Sequence, residues 1–140
     1  MRIAKRLFVQ AGVAPKLLAG LKVENLTRTI LPPSKHPSLI GSFSISFDNN
    51  ESGIVHNLFF IATMEGNRYL TEFSWTQISR GETDNEDLQF IDHADLFGDG
   101  KDEVIVGLEL YENYFYRIYE RKKDSSRWEQ IFEVEAPGCD

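Results

Sequence analysis

The chain is nearly without cysteine, and it has no long apolar run. Its one cysteine, Cys139, stands beside the C-terminus. No intrachain disulfide and no cysteine metal cluster can form, and the thiol reads as part of a dispensable tail. No stretch reaches the roughly 18 consecutive apolar residues that a membrane-spanning helix needs. The apolar run Leu7-Phe8-Val9 is too short for a signal peptide, so the protein is intracellular or its leader lies outside this sequence. Basic residues are the minority charge, 15 Lys and Arg against 22 Asp and Glu, for a net charge of −7. That disfavours a nucleic-acid partner, because phosphate binding needs a basic face. The small cluster Arg121-Lys122-Lys123 reads as a solvated hairpin tip.

Catalytic signatures are missing too. The sequence holds no HExxH, no Gly-x-Ser-x-Gly, no P-loop and no dinucleotide fingerprint. No Ser/His/Asp set is evident, which leaves nucleophilic catalysis without support. His36 and His56 are isolated. Asp92-His93-x-Asp95 looks like a small metal cluster, but neighbours on a strand point to opposite faces. All three histidines read as surface or satisfied core positions. The carboxylates Glu109, Glu112 and Glu120 read as a solvated face, since a glycosidase needs two carboxyls about 5–10 Å apart across a cleft.

What is present is β-forming material. Apolar residues make up 41% of the chain and ten residues are Phe, enough for a core and suited to a pleated surface. The length fits one domain, 1–140. Residues 1–38 form an N-terminal unit that is hard to assign: 5–9 reads as a strand, Gly12 to Pro15 as a turn, and 16–31 as strand-forming until Pro32-Pro33-Ser34 stops it. Ser42-Phe43-Ser44-Ile45-Ser46-Phe47 alternates polar and apolar residues, the pattern of a half-buried strand. A loop follows over 48–53. Leu58-Phe59-Phe60-Ile61-Ala62 is continuous apolar, which fits a strand buried on both faces. Glu65-Gly66-Asn67 turns the chain, and 69–76 alternates with Tyr69, Thr71, Phe73 and Trp75 on one side. A polar loop covers 80–87, and further strands are expected over 88–93, 104–110, 114–120 and 128–134. Apart from 16–21, no apolar helical stripe is evident.

The order of these features repeats. Phe43 falls on Phe90, Asp48 on Asp95, Gly53 on Gly100, Glu65 on Glu112 and Tyr69 on Tyr116 when one half is laid on the other. The halves are 39–87 and 88–135. A unit of about 40–50 residues with three or four strands has the spacing of a propeller blade. The fold class expected is therefore all-β, antiparallel meander sheets in blade-like repeats, with a β-sandwich or an open barrel as alternatives.

The segment Ala94-Asp95-Leu96-Phe97-Gly98-Asp99-Gly100-Lys101-Asp102-Glu103, with Val104-Ile105-Val106 after it, resembles the FG-GAP/VCBS type of repeat found in integrin α-like β-propellers and bacterial secreted proteins. The likeness covers roughly residues 40–135 in degenerate form. It implies a calcium loop in which Asp95, Asp99 and Glu103 give carboxylates and Lys101 its backbone carbonyl. Phe97 stands where the pattern has a second acid and cannot coordinate a hard cation. In the first copy Asp48 and Asn50 fit, Ser52 replaces an acid and Asn57 takes the final position. A metal-free acidic turn explains the same residues, because Gly takes positive φ and Asp bonds nearby backbone.

Tyr111, Tyr114 and Tyr116, with Phe115 and Tyr119, cluster around a hairpin. They read as cross-strand pairs and core, or, where they face water, as a surface for a protein or glycan partner. The function expected is a non-catalytic binding or scaffolding module, calcium-stabilised through the resemblance and part of a larger extracytoplasmic protein. The alternatives are a carbohydrate-binding module using exposed aromatics, and a carboxylate-based hydrolase.

Overall fold

The computed structural model describes residues 1–47, 53–123 and 125–138. Helix α1 (Arg2–Gln10) and a 3-10 turn at Pro15–Gly20 come first. Strands β1 (Lys22–Ile30), β2 (Pro37–Phe47), β3 (Ile54–Glu65) and β4 (Arg68–Ser79) follow, then a short 3-10 turn at Glu82–Asp84. The chain ends with β5 (Asp87–Ala94), β6 (Glu103–Glu109), β7 (Tyr114–Arg121) and β8 (Trp128–Glu135). The first four strands form one antiparallel meander and the last four a second. The protein is all-β in class, as expected. The two sheets lie face to face as a sandwich, with a core drawn from both: Ile40, Phe59 and Ile61 from the first, Leu88, Val106 and Trp128 from the second.

A second core lies on the far side of the first sheet. There α1 packs Ala4, Leu7 and Phe8 against Phe43, Leu58 and Phe60. β3 is therefore sandwiched between layers, and Leu58 to Ala62 are at most 1% exposed. This is the two-faced burial that its unbroken apolar run indicates.

Several local expectations change. Residues 5–9 are helical. Ala4, Leu7 and Phe8 lie at helical spacing on one face, and burial of that face stabilises a nine-residue helix too short to persist alone. Residues 16–20 are a 3-10 turn entered through Pro15, whose fixed φ suits a first turn. β-strand begins only at Lys22. β2 is not half-buried: Phe43 and Ile45 face α1 while Ser42 and Ser44 face the second sheet. The Ser42 hydroxyl donates to the Leu88 carbonyl at 2.6 Å, so small hydroxyls let the sheets approach. In β4 the alternation breaks at a bulge opposite Ile61 and Ala62. Glu72 is the extra residue. Phe73 and Trp75 pack into the inter-sheet core, whereas Tyr69 packs with α1. The polar loop before β5 contains the 3-10 turn Glu82–Asp84, where Arg80 N–H donates to Asp84.

The β3–β4 connection is a two-residue turn closed by the Glu65–Arg68 pair, with Gly66 at φ +64°. The matched halves of the sequence place β2, β3 and β4 on β5, β6 and β7. These are strands two to four of one sheet and one to three of the other. The first-copy positions Asp48, Asn50 and Ser52, and likewise Asp124 and Cys139, lie outside the described residues.

Candidate functional site

Between β5 and β6 the loop 95–102 is a self-satisfied turn. Asp95 accepts the Asp99 N–H at 3.0 Å and the Gly100 N–H at 2.9 Å, one on each carboxylate oxygen. These amides, Gly100 first, hold its carboxyl below the ordinary range. Asp99 accepts the Lys101 N–H at 3.0 Å. Gly98 and Gly100 take positive φ, 69° and 82°. Glu103 is 2% exposed and accepts the Leu96 N–H at 2.8 Å, while burial pushes its carboxyl up. Phe97 projects into solvent, 65% exposed. The carboxylates that would hold calcium thus serve the loop's own amides, and among the described residues no three acidic, His or Cys groups converge as a metal site. Calcium takes six to eight oxygens, and here Asp95, Asp99 and Glu103 accept amide N–H groups of the loop.

Asp102 does something the sequence did not reveal. Its Oδ2 lies 2.5 Å from His93 Nδ1, and His93 Nε2 lies 2.8 Å from Thr29 Oγ1 on β1. The Asp102 N–H donates to the Pro32 carbonyl at 2.9 Å. Hydroxyl, imidazole and carboxylate stand in the order of a nucleophilic triad, with threonine where the sequence offered no serine. Neither Thr29 nor His93 lines any of the clefts described below, so the arrangement serves to latch the first sheet to the acidic loop of the second. His56, read as a surface or satisfied core residue, is buried with its Nδ1 unpartnered among the described residues. It lies against the Phe8 ring, and burial lowers its pKa.

A second inter-sheet contact joins Glu72 to Arg121. The pair is hydrogen-bonded, Glu72 also accepts from Thr63 at 2.5 Å, and Arg121 lies 4.9 Å over the Trp128 ring.

At one end of the sandwich the sheets part into an open cleft of about 590 Å³. Its floor is the end of the first sheet's inner face, where polar residues replace apolar ones: Ser44, Ser46 and Asn57. Ser44 donates to Glu24 at 2.8 Å, and Lys22 pairs with Glu24 at 3.2 Å. Asn57 donates to Asn85 at 3.1 Å and to the Glu86 carbonyl at 2.7 Å. Asp87 and Glu109, directly opposite each other in the β5–β6 register, form the other lip together with Tyr111. Burial, with Glu24 and Glu109 adding repulsion, pushes the Asp87 carboxyl up. A second cleft of about 780 Å³ beside α1 is lined by Arg6, His36, Leu70 and Glu72 among others.

The three tyrosines separate. Tyr111 lies in the β6–β7 turn, 56% exposed at the cleft mouth. Tyr114 and Tyr116 share the outer face of the second sheet, edge to face at 5.3 Å. Tyr114 lies across Gly107, where any side chain would collide with its hydroxyl. Phe115 and Tyr119 point the other way, into the inter-sheet core. The polar cleft floor was detectable only as the serine alternation in β2; Asp87 carried no sequence signal, and Asn57 stood out only as the final position of the first loop copy.

No helix among the described residues is long and apolar enough to cross a membrane. A scan against protein-family models, a search of curated proteins and a search of solved structures each return no match to this chain.

Proposed function

We propose that the chain is a non-catalytic binding module, part of a larger extracytoplasmic protein, and that it takes its ligand in the cleft at the open end of the sandwich. One observation carries this reading. The inner face of the first sheet, apolar where the sheets meet, turns to hydroxyls and amides at Ser44, Ser46 and Asn57, and Tyr111 offers an exposed ring beside them. Many small polar donors and acceptors with one aromatic platform suit a polyhydroxylated ligand, so the ligand class is a saccharide. The larger, extracytoplasmic context rests on the resemblance of residues 94–106 to FG-GAP/VCBS repeats.

A glycan array followed by calorimetry tests the reading. Binding is expected, and Tyr111→Ala is expected to weaken it by about tenfold or more. Wild-type-like affinity in that variant removes the cleft as the site. A second reading, a carboxylate-based hydrolase, is favoured by the raised Asp87 carboxyl beside Glu109 in the same cleft. Turnover of a bound glycan that Asp87→Asn abolishes while binding persists would establish it.

Calcium has no necessary part in this proposal, because the Asp95 loop closes on its own amides. Thermal melting with EDTA and with millimolar calcium is expected to give the same midpoint. A rise of several degrees with calcium would instead place a cation on Asp95, Asp99, Glu103 and the Lys101 carbonyl.

A further inference from the structure

The two outer faces of the sandwich are treated differently. The first sheet's outer face is covered over β2 and β3 by α1, which lays Ala4, Leu7 and Phe8 on it, while Leu26 and Ile30 on the edge strand β1 stay exposed. Arg2 and Lys5, on the same helix, are left exposed. The second sheet has no such cover among the described residues, yet it too carries apolar rows. Ile105, Ile118 and Phe132 are cross-strand neighbours, as are Tyr116 and Val134 in the next row. Phe132 is 51% exposed, Val134 45% and Tyr116 40%. Contiguous apolar rows on an uncovered sheet face mark a contact surface.

Charge identifies the occupant. Asp92 extends the first row, opposite Ile105, and Glu109 flanks Tyr114. Glu120 lies directly opposite Glu129, which pairs with Lys122 at 3.7 Å, beyond the other side of the patch. Asp92, Glu109 and Glu120 form no ion pair among the described residues, so the rim offers three carboxylates to positive groups of a partner. A second copy of this chain would bring the same acidic rim and a net charge of −7, so self-association through this face is opposed.

We propose that the outer face of the second sheet docks a basic amphipathic helix of a partner protein. The helix lays its apolar stripe along Ile118, Phe132, Tyr116 and Val134, and its Lys or Arg side chains reach Asp92, Glu109 and Glu120. The chain's own α1, basic outside and apolar inside, shows on the other sheet how such a face is closed. The site borders the cleft at Glu109, which forms part of the cleft's lip, and Tyr111 takes no part in it.

The test uses a synthetic amphipathic helix of Leu and Lys as probe, with its Leu/Glu counterpart. Wild-type protein is expected to bind the Lys peptide, more weakly as salt rises, and to leave the Glu peptide unbound. Phe132→Lys and Tyr116→Lys are each expected to lose about tenfold or more in affinity. Leu26→Lys, an equally exposed change on the other sheet, is expected to bind as wild type. Amide shift mapping is expected to place the peptide on β6, β7 and β8, a readout that needs no variant. Equal binding by wild type and Phe132→Lys, equal binding of both peptides, or shifts confined to the first sheet would overturn the proposal. So would a wild-type dimer in sedimentation that Phe132→Lys dissolves, since the occupant would then be a second copy.

Discussion

Glu72 enters the inter-sheet space only because β4 bulges there, and it meets Arg121 with little water present: their side chains are 6% and 16% exposed. Arg121 Nε and one terminal nitrogen are buried with no partner among the described residues, so Glu72 compensates a charge that has few other ways to be satisfied there. Glu72→Gln keeps the shape and removes the compensation. It is expected to cost about 3 kcal/mol, seen as a melting midpoint lowered by about 10 °C. The double change Glu72→Leu with Arg121→Met is expected to cost less than Glu72→Gln, since two apolar groups leave no orphan charge. Denaturant titration of the three proteins decides between this and a purely steric role, in which the double variant is the worst. Asp87 behaves oppositely. Its carboxyl is raised by burial and by Glu24 and Glu109, so the fold favours its protonated form. That contribution is complete below the ordinary carboxylate pKa and is lost as pH rises through the raised value. Asp87→Asn is therefore expected to melt above wild type at pH 7, with the gap closing below about pH 4. A gap that is constant with pH would assign the effect to packing.

Helix α1 and strand β3 show how far local pattern reaches. The run at 58–62 could be read as doubly buried because no polar residue interrupts it, and the structure provides a layer on each side. The cover on one of those sides was missed. In nine residues, Leu7-Phe8-Val9 imitates a strand, and only the addition of Ala4 gives the spacing of a helix face. Removing the main side chain of that face tests the layer. Phe8 is fully buried against Phe43 and Phe60 and meets the His56 ring edge-on at 5.6 Å. Phe8→Ala is expected to cost about 3–5 kcal/mol in urea unfolding and to weaken helical circular dichroism. A loss below about 1 kcal/mol would mean that α1 is not a structural layer. The acidic loop was legible as a turn from its Asp and Gly residues alone. Its partners were not. Thr29 and His93 stand 64 positions apart, and Ser42 and Leu88 46 apart, so the latch and the cleft exist only once the second sheet folds over the first. For the same reason Tyr111, Tyr114 and Tyr116, adjacent in sequence, sort into a cleft mouth and a sheet face. A strand's alternation separates neighbours, but where each side leads is a property of the stacked sheets.

Across the whole molecule, layers set a gradient of protection. β3 lies between α1 and the second sheet, with strand neighbours on both sides. β8 lies at an edge of the uncovered sheet, and of its residues only Trp128 is buried. Opening β8 exposes little that is not already wet, whereas exposing β3 means separating all three layers. Amide exchange should therefore be slowest over 58–62, at rates that track global unfolding, and faster over 129–135 by about two orders of magnitude or more. β1, the edge of the first sheet, is pinned by the Thr29–His93 contact and falls between them. Hydrogen exchange read by NMR at low protein concentration measures this order directly. Addition of the Leu/Lys peptide is expected to slow β7 and β8 and leave 58–62 unchanged, because docking covers the exposed face without adding to a core that is already complete. If β8 exchanges as slowly as β3 without any peptide, and does so at every concentration, the outer face is closed by the chain itself. The gradient, and the docking surface with it, would then be wrong.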